Sequence, residues 1–149
     1  MAAAAVSLFL LAATQCAMAS DRYNFNAGWL LSVGGQPDGA SGKTDDSGWQ
    51  KVTLPYAWNQ SEAFSRVCSE LSDTVMWYRK HFVLPRSARG KRVVVEFEGA
   101  RFGARVFING HELGWAENGV MAFGFDLTPY IKYKGDNVLA VYVDSDWKY

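Results

Sequence analysis

The sequence predicts an all-β fold, a β-sandwich or barrel. Three observations lead there: about eight short stretches alternate apolar and polar residues, Gly, Pro, Asn and Asp divide them at short intervals, and helical periodicity is almost absent. At 149 residues the chain has the length of one domain with a real core. It is 49% hydrophobic and 20% charged, an ordinary globular composition. Its 15 basic and 15 acidic residues cancel without forming a run. A nucleic-acid partner would show as a basic stripe, and none is present. An anionic membrane surface is disfavoured for the same reason.

Residues 1–19, "MAAAAVSLFLLAATQCAMA", read as a signal peptide and not as fold. An apolar run from Ala2 to Ala13 meets a polar break at Thr14-Gln15, and Ala17-Met18-Ala19 then precedes Ser20. That small-x-small pattern suits signal peptidase and makes Ser20 or Asp21 the first mature residue, although the leading segment carries no Lys or Arg. The apolar run is well short of the roughly 18 to 20 residues that cross a bilayer, so no membrane association is expected after cleavage. Gln15 is a poor residue before a lipidated Cys16. The expected location is exported: periplasmic, cell-surface or secreted.

Export leaves Cys68 without a partner, so the fold of 20–149 does not rely on a disulfide. Cys68 reads as a buried or incidental thiol, or else as a nucleophile. Neither His81 nor His111 has a cysteine-protease signature beside it. No HExxH, CxxC or Gly-rich phosphate loop occurs, so neither metal nor cofactor is expected.

The strands follow in order. "GWLLSV" (28–33) is apolar and precedes a long polar loop, "GGQPDGASGKTDDSG". "WQKVTLP" alternates Trp49, Lys51 and Thr53 against Gln50, Val52 and Leu54, and Pro55 ends it. "MWYRKHFVLP" (76–85) places Tyr78, Phe82 and Leu84 on one face; Lys80 interrupts that face, so its end is expected near an edge. "KRVVVEFEG" sends Val93, Val95 and Phe97 one way and Arg92, Val94, Glu96 and Glu98 the other. Glu96 and Glu98 thus fall on a solvated face or under a second sheet, not in a catalytic pair. "FGFDL" aligns Phe123, Phe125 and Leu127. "TPYIKYKGDN" reads as one helical turn with Thr128 as cap and Pro129 at its first position. "NVLAVYVDSD" is apolar on both faces, hence central.

"VFINGHELGWAENGV" (106–120) carries His111, Glu112 and Glu117, residue types used in acid–base catalysis. Asn109-Gly110 between apolar runs is the strongest short hairpin signal, since both residues tolerate a type I′ turn. A two-residue turn sets Ile108 opposite His111 and Phe107 opposite Glu112, and leaves Glu117 in the next loop. Paired glycosidase carboxylates flank a bound sugar at about 5 to 9 Å. Nothing in this register builds a cleft between Glu112 and Glu117. Trp29, Trp49 and Trp77 lie in strands and read as core; Trp115 and Trp147 lie near loops.

"FNAGWL", "SGWQKVTLPYAWN", "WYRKHFVLP", "GKRVVVEFEGAR", "VFINGHELG", "NGVMAFGFDLTPYI" and "NVLAVYVD" occur in this order. Together they resemble the N-terminal sugar-binding domain of glycoside hydrolase family 2, the family of β-galactosidases, β-glucuronidases and β-mannosidases. "AWN…EAF" ahead of "WYRKHF" is most similar to the bacterial β-galactosidase-like members. The resemblance implies a jelly-roll β-sandwich of the galactose-binding type, C-terminally incomplete at Tyr149. It also implies that the catalytic Glu pair sits on a later (β/α)8 barrel, beyond an immunoglobulin-like domain, so no catalytic residue is assigned here. A barrel alone takes at least about 200 residues. The implied partners are those two domains and a carbohydrate, a β-galactoside or related glycoside. Ala57 replaces the family's usual Asp two positions after "LP", and Met76 replaces the Gly before "WYRK"; both blur the substrate more than the family.

In that family a sandwich loop can reach the barrel mouth, and the connection 56–74 is the candidate here. Trp58 offers a face for sugar stacking; Asn59, Glu62 and Asp73 offer hydrogen bonds to hydroxyls. Asn59 and Glu62 equally fit a capping box over a short packing helix. Asn59-Gln60-Ser61 is also a glycosylation acceptor in a eukaryotic secretory route. The expected function is thus the scaffold and sugar-binding part of an exported retaining β-glycosidase. The alternative is a free-standing, non-catalytic carbohydrate-binding module.

Overall fold

The computed structural model describes residues 20–35, 38–66, 74–101, 103–117 and 119–145. The expected signal peptide 1–19, Cys68, Asp73 and Trp147 lie outside the described residues. The strands are β1 (Trp29–Val33), β2 (Gln50–Val52), β3 (Val75–Phe82), β4 (Val94–Phe97), β5 (Gly103–Ile108), β6 (His111–Ala116), β7 (Phe123–Asp126) and β8 (Asn137–Asp144). One larger antiparallel sheet runs in the order β2-β1-β3-β8-β5-β6, and β4 pairs with β7 in a second. Helix among the described residues is one α-turn, α1 (Gln60–Ala63), and two 3-10 turns, Arg86–Ala88 and Thr128–Tyr130. The expected β-sandwich is observed.

The core lies between the sheets. Leu31, Met76, Tyr78, Val106, Ile108, Leu139, Val141 and Val143 of the larger sheet pack with Val95 and Leu127, and Phe97, Phe123 and Phe125 close around them. Phe25, Leu54, Tyr56 and Trp58, from the segments flanking β1 and β2, pack against the same cluster. Period-2 patterning accounts for this division. Val95 is buried while Val94, Glu96 and Glu98 are exposed, as the alternation of β4 predicts. β8 is buried along most of its length and lies between β3 and β5, the central place its two apolar faces indicated.

Several local expectations are corrected. β3 is not near an edge: it lies between β1 and β8. Lys80 is tolerated there because its amine reaches the Ala27 carbonyl and lies 4.5 Å from the Phe25 ring and 6.0 Å from that of Trp29. A lysine can bury its stem in this way while its charge finds a partner. The strand over "WQKVTLP" is only Gln50–Val52, and Trp49 is half-buried just outside it. Thr128 does not cap its 3-10 turn. Its hydroxyl instead accepts a 2.8 Å hydrogen bond from the Val93 amide, latching the end of β7 to the start of β4. Nor do Asn59 and Glu62 form a capping box, since no side-chain bond caps α1.

Candidate functional site

The hairpin carries the residue types of acid–base catalysis, His111, Glu112 and, just beyond it, Glu117. Asn109 (φ 51°) and Gly110 (φ 87°) both adopt the left-handed backbone that a type I′ turn requires. Ile108 faces His111 and Phe107 faces Glu112. The Asn109 side chain is fully engaged: Nδ2 donates to the Tyr130 carbonyl (2.8 Å) and Asn137 Oδ1 (3.0 Å), and Oδ1 accepts from the Val138 amide (3.0 Å). His111 stacks on Tyr130 with ring centroids 4.5 Å apart. Glu112 and Glu117 are exposed, at one end of β6 and in the loop beyond it. These residues are turn and surface chemistry on an exposed hairpin.

The long connection offers more. Tyr56 is tied to the larger sheet: its carbonyl accepts the Tyr78 hydroxyl at 3.3 Å, and its own hydroxyl accepts Gln50 Nε2 at 3.0 Å. Burial, then the neighbouring Tyr56, pushes the Tyr78 phenol up to about 12. Trp58 is half-buried and packs against the core cluster, which anchors the segment. Asn59 and Glu62 follow, both half-buried, and Phe64 beyond them is exposed. Three of the four expected sugar contacts thus come on one short segment, while Asp73 lies outside the described residues.

A second constellation was not anticipated. Arg79 and His81 share the face of β3 opposite the core. The Arg79 side chain is completely buried, and its Nε donates to Asp46 Oδ2 at 2.7 Å. Its Nη1 donates to the carbonyls of Gly39 (2.5 Å) and Ser41 (2.8 Å). His81 stands between two carboxylates, Nε2 at 2.9 Å from Asp46 Oδ2 and Nδ1 at 2.5 Å from Asp136 Oδ2. Two ionised carboxylates offer only acceptors, so this geometry suits an imidazolium donating from both nitrogens. Partial burial pulls His81 down, but the bonds and charges of Asp46 and Asp136 outweigh it and raise its pKa above the ordinary value. Burial likewise pulls Asp46 up, yet the bonds and charges of His81 and Arg79 hold it below the usual carboxylate range.

Chemically this is a clamp. A general acid needs a raised carboxyl pKa, whereas Asp46 is lowered and its Oδ2 already receives two donors. The clamp pins the polar loop 38–48 onto the outer face of the larger sheet, and it explains two letters of "WYRKHF". The sequence signal was available: Arg79 and His81 alternate with the core residues Tyr78 and Phe82, and "DD" at 45–46 supplies the countercharge.

The model of the glycosyl hydrolase 2 galactose-binding domain-like family matches residues 50–149. The chain belongs to glycoside hydrolase family 2. A β-glucuronidase of Formosa agariphila is 35% identical over 142 residues, which cover 89% of this chain and 14% of that enzyme. A β-galactosidase of Bacteroides ovatus is 37% identical over 131 residues, 84% of this chain and 15% of the relative. The sandwich superposes on a family 2 β-glucuronidase structure with TM-score 0.79 and 35% identity, covering 83% of this chain and 14% of that one. A Bacteroides uniformis β-glucuronidase gives TM-score 0.79 at 28% identity, over 85% of this chain and 15% of its own. This is the family 2 galactose-binding-like fold, and the chain spans only a small share of the glycosidases it resembles.

Proposed function

We propose that this chain is the N-terminal scaffold and sugar-binding domain of an exported, β-galactosidase-like family 2 enzyme. The full enzyme hydrolyses a β-glycoside with retention, through a glycosyl-enzyme intermediate formed by a carboxylate pair about 5 Å apart. That pair belongs to a barrel outside this sequence, and the chain by itself turns over nothing. The observation that carries the reading is identity of 35% and 37% to glycosidases over 89% and 84% of the chain. The segment Trp58, Asn59 and Glu62, with Asp73, supplies the sugar contacts: the half-buried indole stacks on the C–H face and the polar side chains meet hydroxyls. Residues 1–19 direct export and are then removed.

Two measurements test this. Reading the coding sequence past Tyr149 should reveal an immunoglobulin-like segment and a barrel carrying two Glu residues at strand ends; a stop codon there refutes the proposal in favour of a free-standing binding module. With the full-length protein, NMR of the first-formed anomer from an aryl β-galactoside should show the β-configuration retained. Turnover of the β-glucuronide alone would move the substrate and leave the domain assignment intact.

A further inference from the structure

Asn109-Gly110 makes the hairpin turn, and it is also the dipeptide in which an asparagine side chain is most readily lost. The reaction needs no enzyme. The Gly110 backbone nitrogen gives up its proton and attacks Cγ of the Asn109 side chain. Nδ2 takes up a proton and leaves as ammonia, which closes a five-membered succinimide. Water then opens the ring at one of its two carbonyls and leaves aspartate or isoaspartate. Glycine permits this because it has no side chain to crowd the attacking nitrogen. The sequence holds a second such pair, Asn118-Gly119.

The fold holds both the carbon under attack and the nitrogen that leaves. Asn109 prolongs the ladder of β5 on β8: its backbone amide donates to the Val138 carbonyl at 2.9 Å, and its Oδ1 accepts from the Val138 amide at 3.0 Å. Nδ2 donates to the Tyr130 carbonyl at 2.8 Å and to Asn137 Oδ1 at 3.0 Å. Turning Cγ onto the Gly110 nitrogen breaks these three side-chain bonds. The same network rejects the product. Asn137 is completely buried, and Lys132 fixes its orientation at both ends: the Lys132 amide donates to Oδ1 (2.8 Å), and Nδ2 donates to the Lys132 carbonyl (2.9 Å). Asn137 cannot turn a donor toward position 109 without losing both bonds. An aspartate at 109 therefore sets an oxygen where Nδ2 stood, against two acceptors that have no proton to offer. Isoaspartate instead routes the main chain through Cβ, which lengthens a two-residue turn whose register sets Ile108 opposite His111.

We propose that Asn109-Gly110 is a deamidation site which the native fold masks, and whose conversion makes opening of the hairpin irreversible. While the hairpin is closed, the pair is a stable turn. When it opens, ring closure competes with reclosing, and the product no longer fits the place it left. A reversible opening thus becomes a permanent one, the form of inactivation in which the unfolded chain is chemically altered before it refolds. The site needs no ligand, and it stands whether or not the chain forms part of a glycosidase.

Peptide mass spectrometry of the full-length protein tests it. Samples are aged at mildly alkaline pH, native or in guanidinium chloride, and digested with trypsin; fragment ions separate position 109 from 118 within the peptide 106–132. In denaturant both asparagines should convert to the acid. In the native protein, conversion at 109 should be slower by about tenfold or more, because three bonds must first break. Equal rates at 109 in the two conditions, or no conversion there in denaturant, overturns the proposal. Asn109→Asp, which makes one product directly, should exchange its amides faster than the parent across β5 and β6; unchanged exchange overturns the claim that the product no longer fits. If that variant does not fold, the aged native sample decides. A brief protease pulse should find the converted residue enriched among the digested molecules, and equal content in digested and surviving molecules overturns the irreversible step.

Discussion

Asp46→Ala is the sharpest perturbation this fold offers, because it leaves a buried cation with no carboxylate. The Arg79 side chain is 0% exposed and Asp46 15%. The remaining partners of the guanidinium would be the Gly39 and Ser41 carbonyls, and its Nη2 already lacks one. Removing one member of a buried ion pair costs about 3 to 5 kcal/mol. The slight exposure of Asp46 places this case near the lower limit, about 3 kcal/mol. The second lost contact, to the 40%-exposed His81 side chain, adds little in the presence of solvent. For a chain of this size the result is a fall in Tm of about 6 to 12 °C. Thermal and urea unfolding of the parent and variant measure it, with amide exchange in 38–48 reporting the loop. Asp46→Asn, which keeps an acceptor and loses the charge, should cost about half as much. The double variant Arg79→Met/Asp46→Ala should be less destabilised than the two singles summed, by about 1 to 3 kcal/mol. A loss under about 1 kcal/mol in Asp46→Ala would refute the clamp as an energetic element.

The same clamp makes stability pH-dependent. His81 has a raised pKa in the folded state, so its contribution is fully present below its unfolded value of about 6.5 and is lost as pH rises through the folded value. The urea midpoints of the parent and His81→Asn should therefore differ more at pH 5.5 than at pH 9; an equal gap at both would contradict the assignment. Asp46, lowered, acts on the other side, its contribution vanishing as pH falls below the ordinary carboxylate range. At the hairpin, Asn109→Ala forfeits three side-chain bonds and puts an alanine at φ 51°, together about 3 kcal/mol. Asn109→Gly loses the bonds but accepts the backbone, so unfolding should rank it between the parent and Ala. A glycine variant as unstable as the alanine one would mean that backbone conformation plays no part.

What was legible in the sequence was local. The alternation of Val93, Val95 and Phe97 set the buried face of β4, and Asn109-Gly110 fixed the pairing of Phe107 with Glu112 because a two-residue turn leaves no freedom. What was not legible depended on distant partners. Lys80 looks like an edge residue until the Ala27 carbonyl and the Phe25 ring, more than fifty positions earlier, are placed beside it. Thr128 reads as a cap from its neighbours, yet its hydroxyl accepts the amide of Val93, just ahead of the adjoining strand. The pairing of Arg79 has no local signature, because its countercharge, Asp46, stands 33 residues away. For the sugar-contact segment, sequence named the residue types but not that Trp58 packs against the core cluster.

The direction of the carboxylate shifts separates anchoring from catalysis. Among the described residues, Asp45, Asp46 and Asp126 depart from the ordinary value, and all three depart downward. Asp45 is lowered by its hydrogen bonds from Ser47. Asp126 is held at about 2 by Thr128 and then Arg92. Glycoside cleavage needs at least one carboxyl pushed the other way, kept protonated near neutral pH by an apolar pocket or a neighbouring negative charge. A carboxylate that accepts hydrogen bonds from a hydroxyl, an amide or a guanidinium is stabilised in its charged form. That makes it a fixed tether and a poor proton donor. Asp46 is thus tuned to hold a loop onto a sheet, and "WYRKHF" is one strand serving two layers. Met76 and Tyr78 fill the core from its inner side, while Arg79 and His81 clamp the 38–48 loop from its outer side.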